Sequence, residues 1–264
     1  MPDTRDVTRE RPAVLGPITE AEAAHTRLVI GGALSTVEHP ADRLRLRLSR
    51  HGGLEACPPV VVAQVNVTVR ARMIRVQAAA PTLVEAVDQA GEALLHRLQR
   101  LDRHLTAERT GDVGFTAADW TSPYPQNPVG PVGPPTEQGR IVRMKDCHLA
   151  VQSPDSAAFA MDLRDYPFHL FVDDSTGVDA LIHRGGPTGY RLHFSATVPA
   201  PRNFTVPISI QRWPAVPMPI TRAVGLLNIA PERPYLFFTD PRTRRGRVLY
   251  RRFDGHLGLL APIW

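Results

Sequence analysis

Arginine is the residue type of this chain whose chemistry stands out. The chain contains 31 Lys and Arg residues, of which only Lys145 is a lysine, and its formal net charge is +5. A planar guanidinium donates paired hydrogen bonds to a phosphate and stacks on bases, whereas an ammonium acts as a point charge. A GC-rich genome would also favour arginine, so composition alone leaves both explanations open. The charge suggests an acidic partner without identifying it.

Arginines alternate with leucines between Asp42 and Arg50, in the sequence DRLRLRLSR. This alternation predicts a strand with an apolar face on a core and a cationic face on solvent or a ligand. A second basic group lies near the end of a helix predicted from Pro81 to about Leu105. Cations in the last turns of a helix suit its dipole, so this group has a structural explanation of its own. Both groups are also explained as solvated faces that bind nothing.

Histidines and aspartates recur in the C-terminal half at spacings that suit neither a metal site nor acid–base catalysis. A helical metal site would place two histidines four residues apart with a carboxylate nearby. Turns and caps explain the aspartates better, and the chain has no GxGxxG, Walker or GxSxG motif. We therefore predict no catalytic residue, no metal and no cofactor. The residues considered are His169, His183, His256, Asp173, Asp240 and Asp254.

The two cysteines, Cys57 and Cys147, lie far apart and form no CxxC motif. That usage is typical of a reducing cytosol and argues against a disulfide framework or a zinc site. No apolar run approaches the ~20 residues of a membrane span, and the N-terminus lacks the apolar core of a signal peptide. We expect a soluble, cytoplasmic protein with no membrane partner.

Residues 1–105 have the pattern of one small domain with the element order β-α-β-β-β-α. Its strands alternate in polarity and its second helix carries a stripe of leucines. The predicted elements are a strand within 7–14, a helix over 17–34, strands at 42–50, 60–69 and 73–79, and a helix over 81–105. Residues 106–138, which include NPVGPVGPP, are typical of a flexible linker.

The C-terminal half contains one pattern twice. Its clearer copy, Phe237 to Leu260, predicts a three-strand meander with an Asp-Pro and an Asp-Gly turn, behind a short amphipathic helix. The weaker copy runs from Leu170 to Leu192. The matching positions are Phe171, Asp173, Thr176, Leu181, Arg184 and Gly189 in the weaker copy, and Phe238, Asp240, Thr243, Val248, Arg251 and Gly255 in the clearer one.

These patterns predict an α+β protein: the N-terminal domain, the flexible linker, and two tandem small helix-plus-β-meander modules at 139–200 and 201–264. We expect residues 140–150 to form a strand that enters the first module. Ile208 and Ile210 predict a strand that opens the second module.

The clearer copy resembles the C-terminal domain of the long bacterial ribosome hibernation-promoting factors. The similarity rests on the aromatic pair, the Asp turn with Thr, the strand ending in Tyr-Arg-Arg, and the Asp-Gly and Gly-Leu finish of residues 237–260. The N-terminal element order, with its basic strand and its basic helix end, is similar to the N-terminal domain of the same family. Two C-terminal copies depart from the usual single copy and resemble an actinobacterial subgroup.

The resemblance implies a ribosome hibernation factor without enzymatic activity. Such a factor would bind small-subunit ribosomal RNA in the decoding channel, block messenger and transfer RNA, and silence and preserve ribosomes under stress or dormancy. The implied partner is the ribosome, not DNA. An alternative is a protein-interaction scaffold that uses its C-terminal repeats without binding RNA. The expected RNA-binding residues are Arg45, Arg47, Arg72, Arg75, His96, Arg97, Arg100 and Arg103. We expect the side chains of Arg97, Arg100 and Arg103 on the helix to be exposed.

The two modules each leave a sheet edge and an apolar face to be covered. A partner on the same chain has a high effective concentration, so we expect the modules to pair internally as a pseudo-dimer. Pairing as a homodimer, as in the usual long factor, is the alternative. The residues expected at this contact are Phe171, Leu181, Ile182, Phe237, Phe238, Val248 and Tyr250.

Overall fold

A computed structural model describes residues 13–15, 18–36, 41–51, 60–110, 139–185, 189–199, 204–252 and 255–263. The chain divides into two compact units. Unit 1 comprises Met1–Val132 together with Asp162–Tyr166, and unit 2 comprises Gly133–Met161 and Pro167–Trp264. The prediction of a mixed α+β fold is confirmed. None of the helices within the described ranges is long and apolar enough to cross a membrane.

The described residues of unit 1 form a four-stranded sheet and two helices, apart from the end of α3 (Pro154–Leu163). Along the chain they are β1 (Ala13–Leu15), α1 (Glu20–Leu34), β2 (Ala41–His51), β3 (Val60–Val69), β4 (Arg72–Ala80) and α2 (Leu83–Thr110). The sheet order is β1-β2-β3-β4, with β1 parallel to β2 and the other pairs antiparallel. The first strand was predicted within residues 7–14, of which 7–12 lie outside the described residues.

The core of unit 1 follows from the polarity of its elements. The leucines of β2, Leu44, Leu46 and Leu48, are buried, as are the alternate valines of β3. Leu94 and Leu98 of α2 are fully buried, and α2 packs against β3 and β4. The helices therefore cover the leucine face of β2, and the arginine face is the other side of the same sheet.

Two helix boundaries have local causes. Helix α1 begins at a capping box in which Thr19 and Glu22 satisfy each other's backbone N–H groups. Helix α2 runs to Thr110, beyond the predicted end at Leu105, so the linker predicted at 106–138 begins with helical residues. The segment up to Thr110 contains helix formers such as Ala and Glu, and Gly111 is the first residue that disfavours a helix. Residues 111–138 lie outside the described part of the chain.

The described residues of unit 2 form two sheets, helix α4 (Ile220–Asn228) and all but the last two residues of helix α3. One sheet has the order β10-β9-β8-β7-β6, and the other has the order β11-β12-β13-β5. The elements are β5 (Ile141–Cys147), β6 (Val151–Gln152), α3 (Pro154–Leu163), β7 (Phe168–Asp173), β8 (Asp179–Arg184), β9 (Tyr190–Phe194), β10 (Ile208–Ile210), α4 (Ile220–Asn228), β11 (Tyr235–Thr239), β12 (Gly246–Arg251) and β13 (Leu257–Pro262).

The strands that lead into the two repeats are exchanged. Strand β5, expected to enter the first repeat, pairs in parallel with β13 of the second repeat. Strand β10, expected to open the second repeat, pairs in parallel with β9 of the first. Both strands lie where the sequence predicts them, but the sheets to which the sequence assigned them are wrong. Each meander ends with an open strand edge, and the leading strand of the other repeat covers it.

The two sheets of unit 2 share a core. Leu170 and Leu181 of the first repeat pack with Phe237 and Val248 of the second, and Ala215 joins them. Leu249 and Leu259 of the second sheet point to its opposite face and pack with Leu227 of α4. The second repeat is therefore a sheet with one face on the other repeat and one face on its own helix.

Candidate nucleic-acid interface

The first predicted RNA-binding surface is the arginine face of β2. Arg45 and Arg47 are exposed, and they lie in rows across the sheet with polar partners. Arg45 is in register with Asn66 on β3, and Asn66 is in register with Arg75 on β4. The next row is Arg47, Gln64 and Gln77. We refer to these two rows as the polar sheet face.

The second predicted surface, on α2, is divided. His96 and Arg103 are exposed, but Arg97 and Arg100 are only 9% and 8% exposed. The expectation that the whole helix-end group is solvent-facing is therefore wrong for Arg97 and Arg100. Their side chains are covered by Asp162–Tyr166, the short segment that belongs to unit 1.

Two aspartates of this segment accept hydrogen bonds from the two buried arginines. Arg97 donates from Nη2 to Oδ1 of Asp165 at 2.6 Å and from Nε to the carbonyl oxygen of Asp162 at 3.0 Å. Arg100 Nη1 lies 2.7 Å from Oδ2 of Asp162. The backbone N–H of Gln77, on edge strand β4, donates to Oδ2 of Asp165 at 2.9 Å.

Arg75 links this acidic segment to the polar sheet face. Its guanidinium lies 5.4 Å from the ring centroid of Tyr166 and donates to the carbonyl oxygen of Asp165 at 3.4 Å. It also donates to the amide oxygen of Gln77. Burial lowers the pKa of the Arg75 guanidinium, whereas Tyr166 and Asp165 act in the opposite direction. Arg72, the remaining predicted residue, is half-buried at the start of β4.

The structure thus separates the eight predicted residues into two groups by their surroundings. Arg75, Arg97 and Arg100 meet at Asp165 and Asp162. The others lie on the polar sheet face, at the start of β4 or on exposed positions of α2. Carboxylates that accept from guanidinium groups occupy the geometry that phosphate oxygens would take.

Sequence reasoning missed Asp162 and Asp165. A signal was present in the sequence DLRDY, which places two acids three residues apart at the end of a helix, matching the three-residue spacing of Arg97 and Arg100. A match of spacing between segments so distant in sequence does not by itself show that they meet.

Only some of the residues predicted at the contact between the repeats lie there. Leu181, Phe237 and Val248 lie in the shared core, and the Tyr250 ring is 6.1 Å from the ring of Phe168 in the first repeat. Phe238 packs with the α4 side of its sheet, so its predicted place at the contact is wrong.

Phe171 and Ile182 are fully buried but alternate with Leu170 and Leu181, so they face away from the shared core. Their predicted place at the contact is also wrong, because neighbouring residues of a strand point to opposite faces. Phe168 and Tyr235, whose rings are 4.8 Å apart, are contact residues that the sequence reasoning did not name.

Comparison with known proteins identifies relatives of this chain. A family model described as the sigma 54 modulation/S30EA ribosomal protein C terminus matches residues 136–192, which include the weaker copy from Leu170 to Leu192. Two curated relatives, from the CDC 1551 / Oshkosh and H37Rv strains of Mycobacterium tuberculosis, are described as dormancy associated translation inhibitor. Each is 34% identical over 212 residues, covering 76% of this chain and 70% of the relative.

Solved structures similar to part of the chain include the crystal structure of the Thermus thermophilus Protein Y N-terminal domain, with a TM-score of 0.30 and 17% sequence identity. The likeness covers 35% of this chain and 96% of that chain.

Proposed function

This chain belongs to the family of bacterial ribosome hibernation factors, and we propose that it inhibits translation by binding small-subunit ribosomal RNA in the decoding channel. There it would exclude messenger and transfer RNA and preserve idle ribosomes under stress. It acts by binding and not by catalysis. The observation that carries the proposal is the polar sheet face, where exposed arginines lie in register with amide side chains.

The chemistry of the polar sheet face suits RNA. Arg45 and Arg47 are exposed, so their guanidinium groups are available to phosphates without loss of a core contact. Each phosphate neutralised by an arginine releases counterions, which favours binding at low salt. Asn66 and Gln64 lie beside the arginines and supply donors and acceptors for base edges or 2′-hydroxyl groups.

Asp162 and Asp165 act as phosphate mimics in this proposal. They hold Arg97 and Arg100 in place with ion pairs of 2.6 and 2.7 Å. A phosphodiester that took their place would satisfy the same donors, because phosphate and carboxylate oxygens accept from guanidinium groups in the same way. The arginines of α2 therefore bind RNA by exchange of partners, whereas those of β2 bind it directly.

The C-terminal repeats pair within one chain, so the protein is a monomer that holds ribosomes as single particles. The shared core and the exchanged strands β5 and β10 support this arrangement. Static light scattering of the purified chain and sucrose gradients of loaded ribosomes test it. A homodimer accompanied by a ribosome-dimer peak that requires residues 140–264 would contradict it.

The RNA surface is tested by charge reversal on β2. The double variant R45E/R47E should lose at least tenfold in affinity for purified small subunits, because two phosphate contacts become repulsive. The matched control is R222E, which makes the same type of change at an exposed position of α4. Co-sedimentation at several salt concentrations gives the affinities.

Equal binding by R45E/R47E and R222E would show that the polar sheet face is not the RNA surface. If the unaltered chain fails to sediment with ribosomes at all, the scaffold alternative gains support instead.

A further inference from the structure

The two repeats of unit 2 build the same turn from different residues. In the first, the backbone N–H of Thr176 donates to Oδ2 of Asp173 at 3.0 Å, and the N–H of Gly177 donates to the Asp173 carbonyl at 2.8 Å. In the second, the N–H of Thr243 donates to Oδ1 of Asp240 at 3.0 Å, and that of Arg244 to the Asp240 carbonyl at 2.9 Å. The repeats therefore provide an internal control for what the turn itself requires.

The turn requires an Asp and a Thr but no arginine. The first repeat reads Asp-Asp-Ser-Thr-Gly over 173–177, and the second reads Asp-Pro-Arg-Thr-Arg over 240–244. Gly177 and Arg244 occupy the same position with φ values of 66° and 61°. This left-handed conformation suits glycine and strains an arginine. Strain of this kind at an exposed side chain points to a use for the side chain itself.

The arginines of the second turn differ in their contacts. Arg245 and Arg247 are bound to Asp179 and Asp240. Arg242 and Arg244 are exposed, and within the described residues neither side chain forms an ion pair. The Asp240 carboxylate is held by the backbone N–H groups of Thr243 and Arg242, which lower its pKa.

An exposed aromatic side chain lies on the segment beside this turn. The backbone N–H of Thr239, just before the turn, donates to the carbonyl of Val216 at 3.1 Å. Three residues before Val216, Trp213 is 67% exposed, and the Arg212 guanidinium lies 5.1 Å from its ring centroid. An exposed indole beside a guanidinium is a stacking platform for an unpaired base.

We propose that Arg242 and Arg244, together with Trp213, form a second RNA-binding surface that takes a single-stranded RNA segment. The arginines bind its phosphates and the indole stacks on one base. The matching turn of the first repeat, with Asp174 and Ser175, has no such surface. This proposal rests on the proposed function for the identity of the ligand as RNA, but it concerns residues of unit 2 only.

The test replaces the second turn by the sequence of the first. In the full-length chain, R242S/R244G supplies the residues that Ser175 and Gly177 show to be compatible with the turn. A fluorescein-labelled 12-nucleotide poly-U RNA is the probe, and fluorescence anisotropy gives its Kd at several salt concentrations. The charge-matched control is R222S/R233S, which removes two exposed arginines outside the turn.

We expect R242S/R244G to bind the probe at least tenfold more weakly than the unaltered chain. The slope of log K against log salt should become shallower by about 1.4, since each lost phosphate contact on a single strand contributes about 0.7. W213A should weaken binding with little change in that slope, because stacking releases no counterions. A thermal melt of each variant checks that the fold is retained.

The outcomes separate this proposal from the proposed function. The turn change R242S/R244G is also introduced into the R45E/R47E variant. If it still weakens binding of the probe there, the second surface is supported. This holds even if R45E/R47E alone leaves binding to small subunits unaffected, a result that would contradict only the polar sheet face. Absence of probe binding by the unaltered chain, or equal loss in R242S/R244G and R222S/R233S, would overturn it.

Discussion

Asp179 and Arg245 join the two repeats through a two-point ion pair. Arg245 donates from Nε to Oδ2 of Asp179 at 2.8 Å and from Nη2 to Oδ1 at 3.1 Å. The backbone N–H of Gly246 also donates to Oδ2, at 2.7 Å. The buried Asp179 carboxylate of the first repeat thus accepts hydrogen bonds from Arg245 and Gly246, the first residues after the turn of the second repeat.

Removal of this carboxylate should destabilise unit 2. D179A leaves the Arg245 guanidinium and the Gly246 N–H without their acceptor, and loss of one partner of a buried pair costs about 3–5 kcal/mol. The control is D146N, an exposed change on β5 expected within about 0.5 kcal/mol of the unaltered chain. Urea unfolding followed by circular dichroism gives both values. Equal midpoints for the two variants would contradict this role of Asp179.

The exchanged strands predict that the repeats fold only together. A fragment of residues 133–264 should unfold cooperatively, because it contains both sheets complete. Fragments 133–200 and 201–264 each lack one strand of their own sheet and half of the shared core, so neither should show a cooperative transition. Mixing them should restore it. Calorimetry of the three samples decides, and cooperative unfolding of either half alone would argue against the exchange.

Loss of the Asp165 carboxylate should strengthen RNA binding. In D165N the Arg97 guanidinium loses its charged partner and becomes available to a phosphate, so the Kd for small subunits should fall severalfold. The salt dependence should steepen at the same time, by less than one unit of slope. The control E232Q removes one exposed negative charge elsewhere. Unchanged or weaker binding by D165N, compared with E232Q, would refute the phosphate-mimic role.

The stability of unit 2 should depend on pH through two buried histidines. Burial lowers the pKa of both His183 and His193 below their ordinary value of 6.5. The ring centroid of His183 lies 5.6 Å from that of Tyr235, and the ring centroid of His193 lies 5.2 Å from that of Phe237, both in the second repeat.

As the pH falls, the unfolded chain binds protons at these histidines at a higher pH than the folded chain does. Their contribution to the free energy of unfolding is therefore complete above pH 6.5 and is lost as the pH falls below it. The free energy of unfolding should drop by about 1–2 kcal/mol between pH 7.5 and 5.5, at up to about 1.4 kcal/mol per pH unit for each group. The pKa of Asp240 is lowered and lies outside this window. Urea unfolding at both pH values gives the difference. H183Q/H193Q should show less of it, and an equal drop in that variant would assign the effect to other groups.

Local sequence patterns were sufficient to predict features that depend only on neighbouring residues. The alternation of β2 placed Leu46 in the core and Arg45 outside it, because strand periodicity alone decides the face. The same rule, applied to Leu181 and Ile182, would have shown that adjacent residues cannot share the repeat contact. The Thr19 cap also has a local cause, because threonine is a preferred N-cap residue and Glu22 completes the capping box.

Long-range partners were not predictable in this way. The partner of Arg97 is Asp165, and the partner of β5 is β13; both lie far along the chain, and no local preference of the residues selects them. Which strand closes a sheet edge is decided by the packing of the whole unit. The family resemblance matched the element order that the polarity patterns predicted, but a single-copy domain does not show how two copies divide their leading strands within one chain.

The exchange of β5 and β10 also sets an order of events during synthesis. Strand β5 leaves the ribosome among the first parts of unit 2, yet its partner β13 follows every other described strand of that unit. Until then β5 presents an unpaired edge that carries Val142 and Met144, both exposed even in the finished protein. A nascent chain stalled before Leu257 would display that edge to other nascent chains, so premature termination should yield aggregation-prone products and not a shorter working factor.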